Sequence, residues 1–131
     1  MAVLPPVAWE DRTRTAGNWT YRRDGAGSVA EFKNAEQSIF TITCGAGRVT
    51  LHRPGPEALV MTVTTTTSSK RFLGSPDSLT HGAVGTLPAN DPLLDAIIYS
   101  RGKFMVSATG LTDLILPPWP EIARVVEDCR N

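Results

Sequence analysis

Over the first two thirds of the chain, apolar residues recur at every second position, and glycine- or proline-containing breaks interrupt them at roughly 8 to 12 residue intervals, the rhythm of short antiparallel strands. Trp19 and Tyr21 alternate with polar neighbours and run into Asp24-Gly25-Ala26-Gly27, whose glycines suit a tight turn before Ser28-Val29-Ala30-Glu31-Phe32. A polar break at residues 34–36 leads to a strand at 39–44, and Gly45-Ala46-Gly47 turns the chain into Arg48-Val49-Thr50-Leu51-His52-Arg53. Pro54-Gly55-Pro56 ends that strand. Leu59, Met61 and Val63 then begin a strand expected to be long, or to continue as an edge, through the Thr65-Thr66-Thr67-Ser68-Ser69 tract. A short strand around Arg71-Phe72-Leu73, stopped by Gly74-Ser75-Pro76-Asp77, and a weak one at 83–87 complete the predicted meander.

Helical signals come only in the last third. Asp91 can cap a helix, Pro92 suits its first turn and Gly102 can close it, with Leu93, Leu94, Ile97 and Ile98 on its buried side. Phe104, Val106 and Ala108 alternate again, Gly110 turns the chain, and Leu114-Ile115-Leu116 forms the second arm of a hairpin that must leave the sheet at Pro117. Pro120 opens a final helix with Glu121 at its positive end and Arg130 at its negative end. The pattern predicts a mainly β fold, an antiparallel β-sandwich or partly open barrel with two short helices, the last docked on the sheet. Residues 1–16 lack periodicity and read as an N-terminal arm whose only ordered anchor is Trp9, and residues 17–131 as a single β-rich domain.

Both cysteines fall on apolar faces. Cys44 shares strand parity with Phe40 and Ile42, and Cys129 closes the helical i, i+3, i+4, i+7 stripe of Ile122, Val125 and Val126. Two readings fit: a disulfide between them, or two buried free thiols acting as small hydrophobes in a reducing cytoplasm. A Cys44–Cys129 bond would close a loop for which chain entropy alone predicts about 4–5 kcal/mol.

Composition narrows the partners. The 131 residues carry 13 basic and 13 acidic side chains, so no net field draws in nucleic acid or an anionic bilayer. Arg12, Arg14, Arg22 and Arg23 cluster, but Glu10, Asp11 and Asp24 interleave with them as on a solvated face. No apolar run approaches the roughly 20 residues of a membrane-spanning helix, and Met1-Ala2-Val3-Leu4-Pro5-Pro6 has neither a basic n-region nor a full h-region; an exported chain whose leader has been removed would read the same way.

Candidate chemistry is sparse. His52 and His81 are too few and too isolated for a zinc site, and no catalytic, metal or cofactor signature is present. A nucleophilic set of Ser100, His81 and Asp91 or Asp95 can be written down, but Ser100 lacks the elbow context of a hydrolase. Gly25-Ala26-Gly27 and Gly45-Ala46-Gly47 precede strands and so read as hairpin turns rather than phosphate loops. The threonine tract reads as a strand face, and Glu121, Arg124, Glu127, Asp128 and Arg130 as a charged helix face with an Arg124–Asp128 pair. Trp19, Tyr21 and Trp119, with Arg101, are the candidate binding residues, because amphipathic aromatics dominate interaction hot spots and sugar platforms.

In Asp91-Pro92-Leu93-Leu94-Asp95, in Ser100-Arg101-Gly102-Lys103-Phe104, and from Leu116-Pro117-Pro118-Trp119-Pro120-Glu121 to Glu127-Asp128-Cys129-Arg130, the chain resembles small, uncharacterised exported proteins of alphaproteobacteria, above all of the sphingomonad type. The segments around Cys44 and from Trp9 to Tyr21 fit as well. In its layout of β-meander, short helix and late hairpin it more distantly resembles the invasion-associated locus B proteins. The resemblance implies a periplasmic or secreted protein with a disulfide, and it carries no active site to transfer. The expectation is a non-enzymatic binding or structural module of the cell envelope, its partner an unnamed protein or envelope component and its oligomeric state open. The alternatives are a small serine hydrolase using Ser100 with His81, and an inhibitor of an envelope protease using the N-terminal arm or Pro54-Gly55-Pro56 as its inserted loop.

Overall fold

A computed structural model describes residues 8–55, 60–73 and 82–130. Nine strands and two α-helices follow in order: β1 (Asn18–Asp24), β2 (Gly27–Asn34), β3 (Gln37–Gly45), β4 (Arg48–Pro54), β5 (Met61–Thr64), β6 (Ser69–Phe72), β7 (Gly82–Pro88), α1 (Pro92–Ile98), β8 (Phe104–Ala108), β9 (Leu114–Leu116) and α2 (Pro120–Arg130). They make two antiparallel sheets, one ordered β1-β2-β3-β4-β7 and the other β6-β5-β8-β9. Neither closes into a barrel among the described residues.

The predicted alternation sets the register of the larger sheet. Tyr21, Ala30, Ile42, Leu51 and Gly85 lie side by side across its five strands, with Arg23, Ser28, Cys44, Val49 and Leu87 in the next row but one. That face is the core face. The opposite face carries Thr20, Glu31, Thr41 and His52 in one row and Thr43, Thr50 and Thr86 in another, which is what a β-branched polar residue is suited to on a wet sheet. Ala46 and Gly47 both adopt positive φ (53° and 73°) between β3 and β4, the geometry a two-residue hairpin needs to match strand twist.

Two covers close the core face. Ile122, Val125, Val126 and Cys129 of α2 pack against β1 to β4, as the helical stripe predicts. The smaller sheet contributes Met61, Val63, Phe72, Phe104 and Val106 to the same cluster. It approaches β7 so closely that a Cβ on Gly85 would run into the Phe72 ring.

Four expectations change. First, the strands are not one meander: β7 pairs with β4, so the β5–β6 hairpin belonging to the other sheet is inserted between two neighbours. Second, the threonine tract is no long strand. Thr65 Oγ1 accepts from the backbone N–H groups of Thr67 and Ser68, and this side-chain turn reverses the chain between β5 and β6. Third, Asp91 caps α1 through Leu93 N–H at 2.8 Å as predicted, but the helix ends at Tyr99, before Gly102. Fourth, Trp9 lies in a single 3-10 turn without a buried residue, and the arm is held elsewhere: Thr15 exchanges two 2.8 Å hydrogen bonds with Ile115, Arg12 pairs with Asp113 at 2.8 Å, and Lys103 donates to the Glu10 and Arg12 carbonyls. Leu59, the turn residues 74–77, His81 and Pro56 lie outside the described residues.

Cys44 and Cys129 are bonded to each other, with Cα atoms 5.5 Å apart and a sequence separation of 85. The bridge fastens the last turn of α2 to the β3–β4 end of the larger sheet. Cys129 Sγ sits 3.1 Å from the Arg48 carbonyl oxygen, at the first residue of β4.

Candidate functional site

Trp19 and Tyr21 leave β1 on the same face, but their surroundings differ. Trp19 is only 4% exposed, edge-on to Phe32 and Phe40 at 5.3 and 6.3 Å. Its Nε1–H donates to the Pro117 carbonyl at 2.8 Å. Pro117 has left the β9 ladder, so its carbonyl is available for this bond, which holds the Pro117-Pro118-Trp119 strap across the sheet. Trp19 therefore belongs to the core and the strap, a correction to its place among the binding residues.

The strap delivers Trp119 to the neighbourhood of Tyr21. Tyr21, Trp119, Pro120, Glu121 and Arg124 line an open groove of about 420 Å³ at the start of α2. The Arg124 guanidinium lies 4.1 Å from the Tyr21 ring centre, and that of Arg14 lies 5.2 Å from Trp119, both in cation–π range. Neither arginine has a carboxylate within ion-pair distance among the described residues.

The expected Arg124–Asp128 pair is replaced by a relay through Tyr21. Its hydroxyl donates to Asp128 at 2.5 Å while its ring receives Arg124, and Arg23 reaches Asp128 at 3.6 Å from β1. The Tyr21 hydroxyl first, and the nearby Ser28 hydroxyl second, hold the Asp128 carboxyl below the ordinary carboxylate range; desolvation opposes them, and Arg23 and Arg124 add attraction. Only Tyr21 meets hydrogen-bond geometry, since Ser28 Oγ is buried without a partner, so Tyr21 is the contact that counts. Arg12 and Arg23 accordingly find their partners across the fold rather than among their acidic neighbours, Asp113 and Asp128 respectively, while Arg22 pairs with Glu31 on the adjoining strand.

Arg101 is not part of this groove. It lines a separate depression with Glu10, Thr66 and Thr67, and its backbone N–H donates to Thr66 Oγ1. Of the four candidates, Tyr21 and Trp119 come together and Trp19 and Arg101 do not join them. Ser100 is 5% exposed, donates to the Lys103 carbonyl and accepts from Thr66 N–H, which are turn contacts. Asp91 is occupied as a cap, and Asp95 takes a two-point contact from Arg130 at 3.0 and 3.1 Å. Among the described residues no three His, Cys, Asp or Glu side chains converge as a metal site would require, and no helix is long and apolar enough to cross a membrane.

Sequence reasoning missed Arg14, Arg53 and the Tyr21–Asp128 contact. Arg53 left a signal: it shares strand parity with Val49 and Leu51 and therefore points inward. The Tyr21–Asp128 contact spans 107 residues and left none.

Chemically, the groove offers two aromatic walls, two guanidinium groups and one carboxylate, Glu121, without an ion-pair partner among the described residues. That set can stack on a flat or apolar ligand and anchor its polar edge; it contains no nucleophile paired with a base. Comparison with family models, with curated proteins and with solved structures finds no match to this chain.

Proposed function

We propose that this chain is a non-enzymatic binding module of the bacterial cell envelope, exported and disulfide-stapled, and that it engages its partner through the Tyr21–Trp119–Arg124 groove. The observation that carries this reading is the groove itself: aromatic walls with flanking guanidinium groups, positioned by a covalently tethered helix. The disulfide supports an oxidising compartment, and the resemblance to exported alphaproteobacterial proteins supports the same location.

A photo-crosslinking amino acid at position 121, compared with one at Thr86 on the wet face of the sheet, tests the site in envelope extract. Adducts specific to position 121 that disappear in Trp119→Ala are expected. Equal adducts from both positions would remove the groove from consideration. Alkylation before reduction of protein from whole cells should leave both cysteines unlabelled, and labelling of either would contradict the bridge and the oxidising compartment. A fluorophosphonate probe should leave Ser100 unmodified.

A further inference from the structure

We propose that the cleft between the end of β4 and the β8–β9 turn is a second site, one that binds small carboxylates with a short aliphatic tail through Arg53 and Ser38. Arg53 is 6% exposed, and its guanidinium donates to two backbone carbonyls, those of Val106 at 3.1 Å and Thr112. A guanidinium has five N–H donors, so the remaining ones have no acceptor among the described residues. No carboxylate of the described residues lies within ion-pair distance; Asp113, the acidic residue that acts on Arg53 through space, is paired with Arg12. A buried full charge answered only by peptide dipoles is expensive to hold.

Beside it, the Ser38 hydroxyl is buried and has no hydrogen-bond partner. The Arg53 guanidinium, which lacks a carboxylate partner among the described residues, and the one unpartnered hydroxyl of Ser38 thus line the same cavity of about 250 Å³, whose other wall is apolar, formed by Ile39, Leu111 and Leu114. Exposed Gln37 also lines it and gives it a polar rim.

The complement to this set is specific. Arg53 supplies a cation and Ser38 a hydroxyl donor, so the ligand must bring acceptors and negative charge. A planar carboxylate offers one oxygen to each. An amide of the same shape lacks the negative charge that answers the guanidinium, and a phosphate would leave charged oxygens against the leucines. The apolar wall asks for a short hydrocarbon tail. The site lies at the opposite end of β4 from the disulfide and is lined by none of the groove residues.

Hexanoate titrated into the full-length oxidised protein, followed by the methyl signals of Leu111 and Leu114, tests the assignment, with hexanamide, acetate and inorganic phosphate as comparison probes. Saturable shifts at both leucines are expected, with hexanoate binding about tenfold tighter than each comparison probe. Arg53 also ties the two sheets, so Ser38→Ala is the decisive variant: it removes an orphan hydroxyl, should leave the melting temperature unchanged or higher, and should weaken hexanoate about tenfold. Hexanamide or phosphate binding as well as hexanoate, shifts absent from the leucines, or a Ser38→Ala protein that loses stability yet keeps its hexanoate affinity would each overturn the proposal.

Discussion

Tyr21 donates its phenolic hydrogen to Asp128, the residue immediately before the bridged Cys129, so the groove wall on β1 and the covalent fastening of α2 are joined through adjacent positions. The consequence is that groove geometry and helix docking rise and fall together. Tyr21→Phe keeps the ring under Arg124 and removes only the hydroxyl, leaving Asp128 with Arg23 at 3.6 Å. The variant should melt below the wild type at neutral pH and give partner adducts at position 121 in lower yield. A melting temperature identical to wild type would show that the contact contributes nothing.

Asp128 also gives the stability a pH dependence with a definite sign. Its carboxyl titrates below the ordinary 3.8 in the folded chain, chiefly because of the Tyr21 hydroxyl. The unfolded state therefore binds the proton more readily, and the contribution is present above pH 3.8 and lost as pH falls through the lower folded value. Denaturation midpoints between pH 6 and roughly 2 should drop more steeply for wild type than for Asp128→Asn. Parallel curves would contradict the assignment.

The disulfide is a stabilising feature open to direct test. Cys129→Ser should lose about 2–4 kcal/mol under non-reducing conditions, since the bond closes a long loop. Reductant should lower the wild type toward the variant and leave the variant unchanged, as read by chemical denaturation.

Gly85 marks a close approach of the two sheets. Because an added Cβ would meet the Phe72 ring, Gly85→Ala should destabilise by about 1–3 kcal/mol through overpacking. Combining it with Phe72→Leu should recover part of that loss, and a double-mutant cycle gives the coupling. Additive effects would mean the sheets can separate at this point without cost.

The fold was legible where a side chain's direction follows from periodicity alone. Cys44 and Cys129 point inward because of strand parity and helix spacing, and Asp91 caps because its side chain reaches only two residues on. What escaped was decided by partners remote in sequence. Thr65 chooses a turn over a ladder because its hydroxyl meets its own backbone. Trp19 and Tyr21 share a face, yet the strap at Pro117 covers the first and leaves the second half-buried at the groove. Two of the four candidate residues, Tyr21 and Trp119, therefore lie together in one groove, while the arginines that stack on them were recognised only as surface charge.

β4 is secured in two chemically unlike ways, next to a covalent bridge at Arg48 and by the Arg53 guanidinium at its other end. Thiol reagents attack only the first. Under reduction, helix α2 should loosen while the clasp between the sheets holds, so hydrogen exchange should speed up first at Val125 and Val126 and later at Val106, a sequential rather than all-or-none opening.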